Sequence, residues 1–169
     1  LANYKNSLNR KTVHDWIDKT LTVIEHQFSR EDGSFCQDLS GHFMDLSPQI
    51  RSQNPHMHLL EATLYLLELD KQNPRYLTLV NRLLNLFENK ILGNGNNLVR
   101  EYLDQSFKPS LVNSFIIEPG HHYEWAWLLN WSDKIHQRKK YGTLTKTLFD
   151  TGWRLGWDFN NGGVFDEVD

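Results

Sequence analysis

Apolar residues recur at intervals of three and four along much of this chain, and that spacing predicts helices. In the stretch KTVHDWIDKTLTVIEHQF, Val13, Trp16, Ile17, Leu21, Ile24 and Phe28 fall on one side of a 3.6-residue turn, the mark of an amphipathic helix with a single buried stripe. Four further helices are predicted at about 55–70, 75–91, 121–137 and 142–158. Leu77, Val80, Leu83, Leu84, Phe87 and Ile91 give the third helix a one-sided stripe. Leu144, Leu148, Trp153, Leu155 and Phe159 do so more loosely for the fifth. The second and fourth differ, because LLEATLYLL and EWAWLLNW are apolar around most of the circumference, as expected of helices covered on all sides.

The pattern repeats. Three similar segments, SREDGSFCQDL, LGNGNNLVREYL and DFNNGGVFDEVD, lie between helices, each with a Gly or Asn turn and then a few extended residues that include an acidic one. Aligning Phe35, Val99 and Phe165 gives spacings of 64 and 66 residues, and Pro55 and Pro119, which open the second and fourth helices, also stand 64 apart. A unit of that length holding two helices and a turn is a helical-hairpin repeat. In each unit the all-round apolar helix precedes the one-sided one, so stacked units form a layer of inner helices sheathed by outer ones. The inner helices then run the same way, and their amino termini gather at one rim.

The fold class expected is therefore all-α. Six such hairpins would close into an (α/α)6 barrel of roughly 390 residues. Residues 1–169 read as a single domain of about two and a half hairpins, the central piece of such a barrel rather than a short open solenoid, because no polar capping unit is apparent at either end. Bared inner helices in such a piece predict self-association, as a homo-oligomer, or instability.

Composition narrows the partners. The chain is 39% hydrophobic and 23% charged with a formal net charge of -3, the profile of a globular domain with no basic field for nucleic acid or an anionic membrane. No apolar run reaches the ~20 residues of a membrane span, and LANYKNSLNRK lacks the apolar centre of a signal peptide, which favours a cytoplasmic location. Cys36 is the one cysteine, so no internal disulfide can form. Six Trp, six Tyr and nine Phe mostly serve the core, although aromatic faces beside polar groups also suit sugars.

The candidate chemistry sits at the inner-helix entries. Pro55 and Pro119 suit a first helical turn, with Asn54 placed as an N-cap. His58 and Glu61 are three apart, as are His121 and Glu124, so an H-x-x-E pair opens both inner helices, and adjacent repeats would bring the two pairs to one rim. The positive end of the helix dipole, together with burial, is expected to keep these imidazoles neutral and therefore basic. A neighbouring carboxylate can set the tautomer, leaving the other nitrogen to move a proton. A bland reading competes with this one, since a lone histidine early in a helix is commonly a satisfied surface or core residue; the repetition is what argues for function. Metal binding is not expected. His56 and His58 point about 200° apart on a helix and His121 and His122 about 100° apart, and there is no H-E-x-x-H. His14, His26, His42 and His136 read as solvated. Glu61, Glu118, Glu124, Asp166 and Glu167 could instead supply the two carboxyl groups of a barrel glycoside hydrolase, and a non-catalytic helical-repeat binding module is a third reading.

RSQNPHMHLLEA, EPGHHYEWAWLL and the terminal GGVFDEVD resemble the N-acylglucosamine 2-epimerase superfamily, particularly its mannose or mannose 6-phosphate isomerase-like branch, from the first helix to the last residue. The resemblance implies an (α/α)6 barrel that interconverts aldoses with their 2-epimers or with ketoses, acting on a monosaccharide or sugar phosphate without metal or redox cofactor. By position, it makes His121 one of two catalytic histidines acting at carbon 2, with Glu124 its partner. It makes His58 the histidine that assists at the ring oxygen or holds hydroxyls, and Asn54 a substrate hydrogen-bonder. Trp127 is a further candidate for sugar contact. The family's amino-terminal arginine and carboxy-terminal second histidine have no counterpart here, and Arg51 belongs to a different motif. The chain alone is therefore expected to be inactive and the intact protein active. The sequence shows no glycine loop for nucleotide phosphates, and it leaves open which sugar is used, whether it is phosphorylated, and whether an epimer or a ketose results.

Overall fold

The computed structural model describes residues 10–92, 97–109 and 116–168, which hold five α-helices and one two-stranded antiparallel pairing. Residues 1–9, residues 93–96 of the LGNGNNLVREYL segment, residues 110–115 and the last residue of the GGVFDEVD motif lie outside the described residues. These residues form two compact units, one up to Pro48 and one from Gln49 onward.

In the first unit, α1 (Arg10–Val23) runs into a wider π turn over Ile24–Phe28. Val13 and Leu21 are buried, but Trp16, placed on the same stripe by its spacing, is 56% exposed. The following loop folds on itself through bridges between Ser29 and Phe35 and between Leu39 and Asp45. Gly33 turns it at φ 87°, a conformation in which a Cβ would be strained. Arg30 locks the loop, its guanidinium 2.6 Å from Asp45, and the buried Cys36 thiol donates to the Phe28 carbonyl at 3.3 Å.

The second unit contains β1 (Arg51–Ser52), α2 (Asn54–Leu69), α3 (Pro74–Leu86) with a π turn over Phe87–Ile91, β2 (Tyr102–Leu103), α4 (Pro119–Ile135) and α5 (Gly142–Gly156). Each helix falls where the apolar period predicts it. Pro55 and Pro119 occupy first turns as expected, and Asn73 caps α3 by accepting from Arg75 N–H at 3.1 Å. Asn54 departs from expectation. It is the first helical residue rather than the cap, because Gln53 already has helical backbone angles and its carbonyl accepts from the His56 and Met57 amides.

Helix α2 packs against α3 and α4, and α4 packs against α5. Gln53 at the start of α2 touches His121 and Trp125 at the start of α4. Farther along, Tyr65 and Glu68 of α2 meet Trp131 of α4. Amino end meets amino end and carboxy end meets carboxy end, so the two inner helices run in the same direction. Met57, Leu60, Leu64, Leu67, Leu83, Phe87, Trp125, Leu128, Leu129 and Leu148 form the core between them.

The inner helices are not covered all round. On α2, His58, Ala62 and Leu69 are exposed, and on α4 so are Glu124, Trp127 and Asn130. The stripe predicted for the fifth helix also ends early, Trp153 and Phe159 being exposed, whereas Val80, Leu83, Leu84, Phe87 and Ile91 of the third helix's stripe are buried. On α5 the contacts with α4 fall at Gly152 and Gly156, which His122 and Pro119 approach. Among the described residues, no helix is long and apolar enough to cross a membrane.

The hairpin ends are tied by the connecting segments. Arg51 pairs with Leu103 and Ser52 with Tyr102, and Gln53 N–H donates to the Glu101 carbonyl at 3.1 Å. One repeat later, Ile117 and Val168 exchange two backbone hydrogen bonds of 3.0 and 2.9 Å. The extended residues ahead of each inner helix thus pair with those after the next outer helix. At the α4 entry, Gly156 leaves room for the Pro119 ring. A methyl group there would sit 2.6 Å from Pro119 Cγ and 3.2 Å from Val164 Cγ1. Gly156→Ala is expected to cost about 1–3 kcal/mol by overpacking, read as a lower urea midpoint at unchanged slope. An unchanged midpoint would show that the helices separate without penalty.

Candidate functional site

The paired connections and the two inner-helix amino ends converge on His121. This ring is buried, and each nitrogen faces a different carboxyl group: Nδ1 is 2.6 Å from Glu101 Oε1, and Nε2 is 3.3 Å from Glu118 Oε2. Gln53 Nε2 lies 3.1 Å from both Glu101 oxygens and 2.8 Å from His121 Nδ1. Trp125 Nε1–H donates to Gln53 Oε1 at 2.7 Å, and the Trp125 ring stacks on Phe87 with centroids 3.8 Å apart. Five side chains from three separate stretches of chain therefore form one polar group on an apolar floor, buried except at the half-exposed Glu118.

The electrostatics differ from those a helix terminus alone would impose. Burial pushes the His121 pKa down, but the hydrogen bond and charge of Glu101, with the charges of Glu118 and Glu124, more than offset this and leave it above the usual 6.5. The expectation of an imidazole held neutral by the helix dipole is thus corrected for His121, because carboxylates in contact outweigh partial charges on the backbone. The adjacent His122 is shifted the other way. It is fully buried, Nε2 accepts from Val99 N–H at 3.1 Å, and desolvation lowers its pKa against a smaller opposing effect of the Glu118 carbonyl. Glu118 is raised, first by desolvation and then by the charge of Glu101.

Glu101, Glu118 and His121 bring ligand-type atoms within 4.8 Å of one another. Their arrangement suits protons better than a metal ion. The two ring nitrogens point at different carboxyl groups, and 2.6 Å is the length of a charge-assisted hydrogen bond rather than the ~3 Å or more separating ligands around a tetrahedral ion.

The other residues singled out in the sequence lie on the uncovered face. His58 Nδ1 pairs with Glu61 at 3.3 Å, both exposed to about half their surface, with side-chain exposures of 55% and 47%. Glu124 and Trp127 are exposed on α4, and Trp127 lies 5.1 Å from Trp131, rings tilted by 30°. Asn54 is half-buried at the head of α2. His121 is held in the buried group by Gln53, Glu101 and Glu118, whereas His58, Glu124 and Trp127 form part of an open polar and aromatic surface on the same two helices. Of the histidines read as solvated, His14, His26 and His42 are exposed; His136 is half-buried, with Nδ1 on the Ser132 carbonyl at 2.8 Å.

Gln53 and Glu101 were not evident from local spacing. They stand 48 residues apart and meet only because 51–53 pairs with 101–103. The available signal was the acidic residue in each look-alike segment: Glu101 occupies the extended arm of the second.

Parallel inner helices with outer partners, joined by paired turn segments, are the helical-hairpin architecture of the (α/α)6-barrel type, and a carboxylate-flanked histidine sits at an inner-helix entry. The chain belongs to the N-acylglucosamine 2-epimerase (GlcNAc 2-epimerase) family, which it matches over residues 1–169. It is 30% identical over 161 residues to D-mannose isomerase of Marinomonas mediterranea, covering 88% of this chain and 40% of that protein. It is 32% identical over 122 residues to mannose-6-phosphate isomerase of Rhizobium meliloti, covering 70% of this chain and 31% of that one. Among solved structures, a D-mannose isomerase superimposes with a TM-score of 0.79 at 27% identity over 92% of this chain and 42% of that one. Cellobiose 2-epimerase from Bacillus thermoamylovorans B4167, at 16% identity, shares the fold with a TM-score of 0.77 over 96% of this chain and 46% of that one. The chain thus spans about two fifths of the length of the relatives it matches.

Proposed function

We propose that the intact protein is an aldose–ketose isomerase or sugar 2-epimerase, acting on a free or phosphorylated hexose in a cytoplasmic setting. The observation that carries this reading is His121: a buried imidazole at the family motif position, with a carboxyl group on each nitrogen, beside an open face that presents His58, Glu124 and Trp127. Removal of the proton at carbon 2 leaves its electron pair in an enediolate. The proton passes to imidazole, and the resulting imidazolium is stabilised by the flanking carboxylates. A proton delivered to carbon 1, with the O2 hydroxyl proton passing to O1, gives the ketose, and a proton delivered to the other face of carbon 2 gives the epimer.

In this reading Glu124 assists His121 from the next helical turn. His58 and Asn54, four residues apart on α2, hold the ring oxygen and hydroxyls, and Trp127 offers its face to the sugar's C–H surface. Relatives named for mannose and for mannose 6-phosphate support a mannose-type substrate and leave both forms to be tried. The test is solvent exchange: mannose, glucose, fructose and mannose 6-phosphate are incubated in D2O with the intact protein and with this chain alone, and label at carbon 2 is read by NMR. Label is expected with the intact protein and not with the 169-residue chain. Absence of label from every sugar with the intact protein would overturn the reading.

A further inference from the structure

Two donors converge on Glu101, and their geometry fixes where the His121 proton lies. Trp125 Nε1 can only donate, so the Gln53 atom it meets at 2.7 Å is the carbonyl oxygen. Gln53 Nε2 is thereby turned toward Glu101, 3.1 Å from each oxygen. Phe87, stacked against Trp125, keeps the indole from swinging away. The backbone is fixed as well, since Glu101 N–H donates to the Ile116 carbonyl at 3.3 Å and the Glu101 carbonyl accepts from Gln53 N–H at 3.1 Å.

His121 Nδ1 lies 2.6 Å from Glu101 Oε1 and 2.8 Å from Gln53 Nε2. Without a proton, Nδ1 would hold a lone pair against a carboxylate oxygen at 2.6 Å, a repulsive contact. With a proton it donates to Glu101 at the length of a charge-assisted bond, and Gln53 Nε2 becomes a second donor to the same carboxylate. We propose that Glu101 is a positioning residue that pins the His121 proton on Nδ1, with Gln53 and Trp125 holding Glu101 in place, so that Nε2 is the nitrogen that exchanges a proton with substrate. The role of Nε2 rests on the function proposed above; the placement of the Nδ1 proton does not. The charged and titratable groups facing the ring are Glu101 from the β2 segment and Glu118, Glu124 and His122 from α4, with Asp166 and Glu167 beside Glu118.

The test has two arms. In the chain labelled with 15N-histidine, the His121 ring resonances are expected to show the neutral form protonated at Nδ1, and Glu101→Gln to lower the His121 pKa by about one unit or more. A proton on Nε2, or an unmoved pKa in Glu101→Gln, overturns the proposal. Because the tautomer is read on the unaltered chain, the question is decided even if the variant fails to fold. In the intact protein, Glu101→Gln is expected to lower kcat about tenfold or more with KM little changed, and to move the acidic limb of the pH profile to lower pH. Sugar turnover with an unmoved acidic limb would sink the positioning role and leave the isomerase reading standing. An Nδ1 proton in a protein that turns over no sugar would do the reverse.

Discussion

His121→Asn is expected to lower exchange of the carbon-2 proton in the intact protein by about 10²–10⁴-fold, while leaving the chain folded. Asparagine keeps a polar group within reach of Glu101 and Gln53, so the buried network retains a partner where alanine would leave the Glu101 carboxylate and the Gln53 amide N–H facing a void. What it cannot do is cycle a proton near neutral pH. A carboxylate-pair glycosidase or a binding module would show no exchange at carbon 2 in either protein, so deuterium incorporation in wild type and variant separates the isomerase reading from the other two. Exchange that persists in His121→Asn at the wild-type rate would remove His121 from the chemistry.

The same substitution has a thermodynamic signature. The His121 pKa is raised in the folded chain, so the folded state binds its proton more tightly than the unfolded state does. That contribution to stability is fully present below the usual pKa of 6.5 and is lost as pH rises through the higher folded value. His122 acts in the opposite sense: its lowered pKa removes stability as pH falls, because the unfolded chain takes up a proton that the buried ring does not. His122 is present in both proteins, so the difference in unfolding free energy between wild type and His121→Asn isolates the His121 contribution. That difference is expected to be largest in mild acid and to shrink toward alkaline pH. A difference that grows with pH would mean that the flanking carboxylates do not favour imidazolium.

The helices were legible because their information is local. Proline at an inner-helix entry, a three- and four-residue apolar period and a Gly or Asn turn all act within one or two helical turns, and α2 to α5 begin and end close to where those signals place them. The 64-residue period carried the architecture, since it places like helices side by side. The site was legible only in part. His121 could be found from its motif, but its environment could not, because Gln53 and Glu101 approach it through a strand pairing that spans some fifty residues. Reasoning from the helix terminus and burial, without the carboxylates, therefore assigned His121 the wrong direction of pKa shift. The inner-helix stripe of His58, Ala62, Glu124 and Trp127 was misjudged for a related reason. Mean apolarity registers how many sides of a helix are greasy, and it is insensitive to a single polar and aromatic line that faces away from the core.

Trp125→Ala should produce the largest loss of stability of any single change in the second unit, about 3–5 kcal/mol. Trp125 is fully buried, stacks on the fully buried Phe87, and donates the hydrogen bond that orients Gln53. Truncation opens a cavity between α4 and the end of α3 and also leaves Gln53 Oε1 without that donor. Trp125→Phe divides the two effects, since it keeps most of the stacked ring and removes only the N–H, at an expected cost of about 1–3 kcal/mol for the unsatisfied oxygen and the smaller ring. Chemical denaturation of both variants ranks them. If packing dominates, alanine is clearly the worse. If the two cost the same, the hydrogen bond to Gln53 is the main contribution of this residue, and the polar network around His121 is then a principal source of stability for the α2–α4 pair rather than a passenger on its apolar floor.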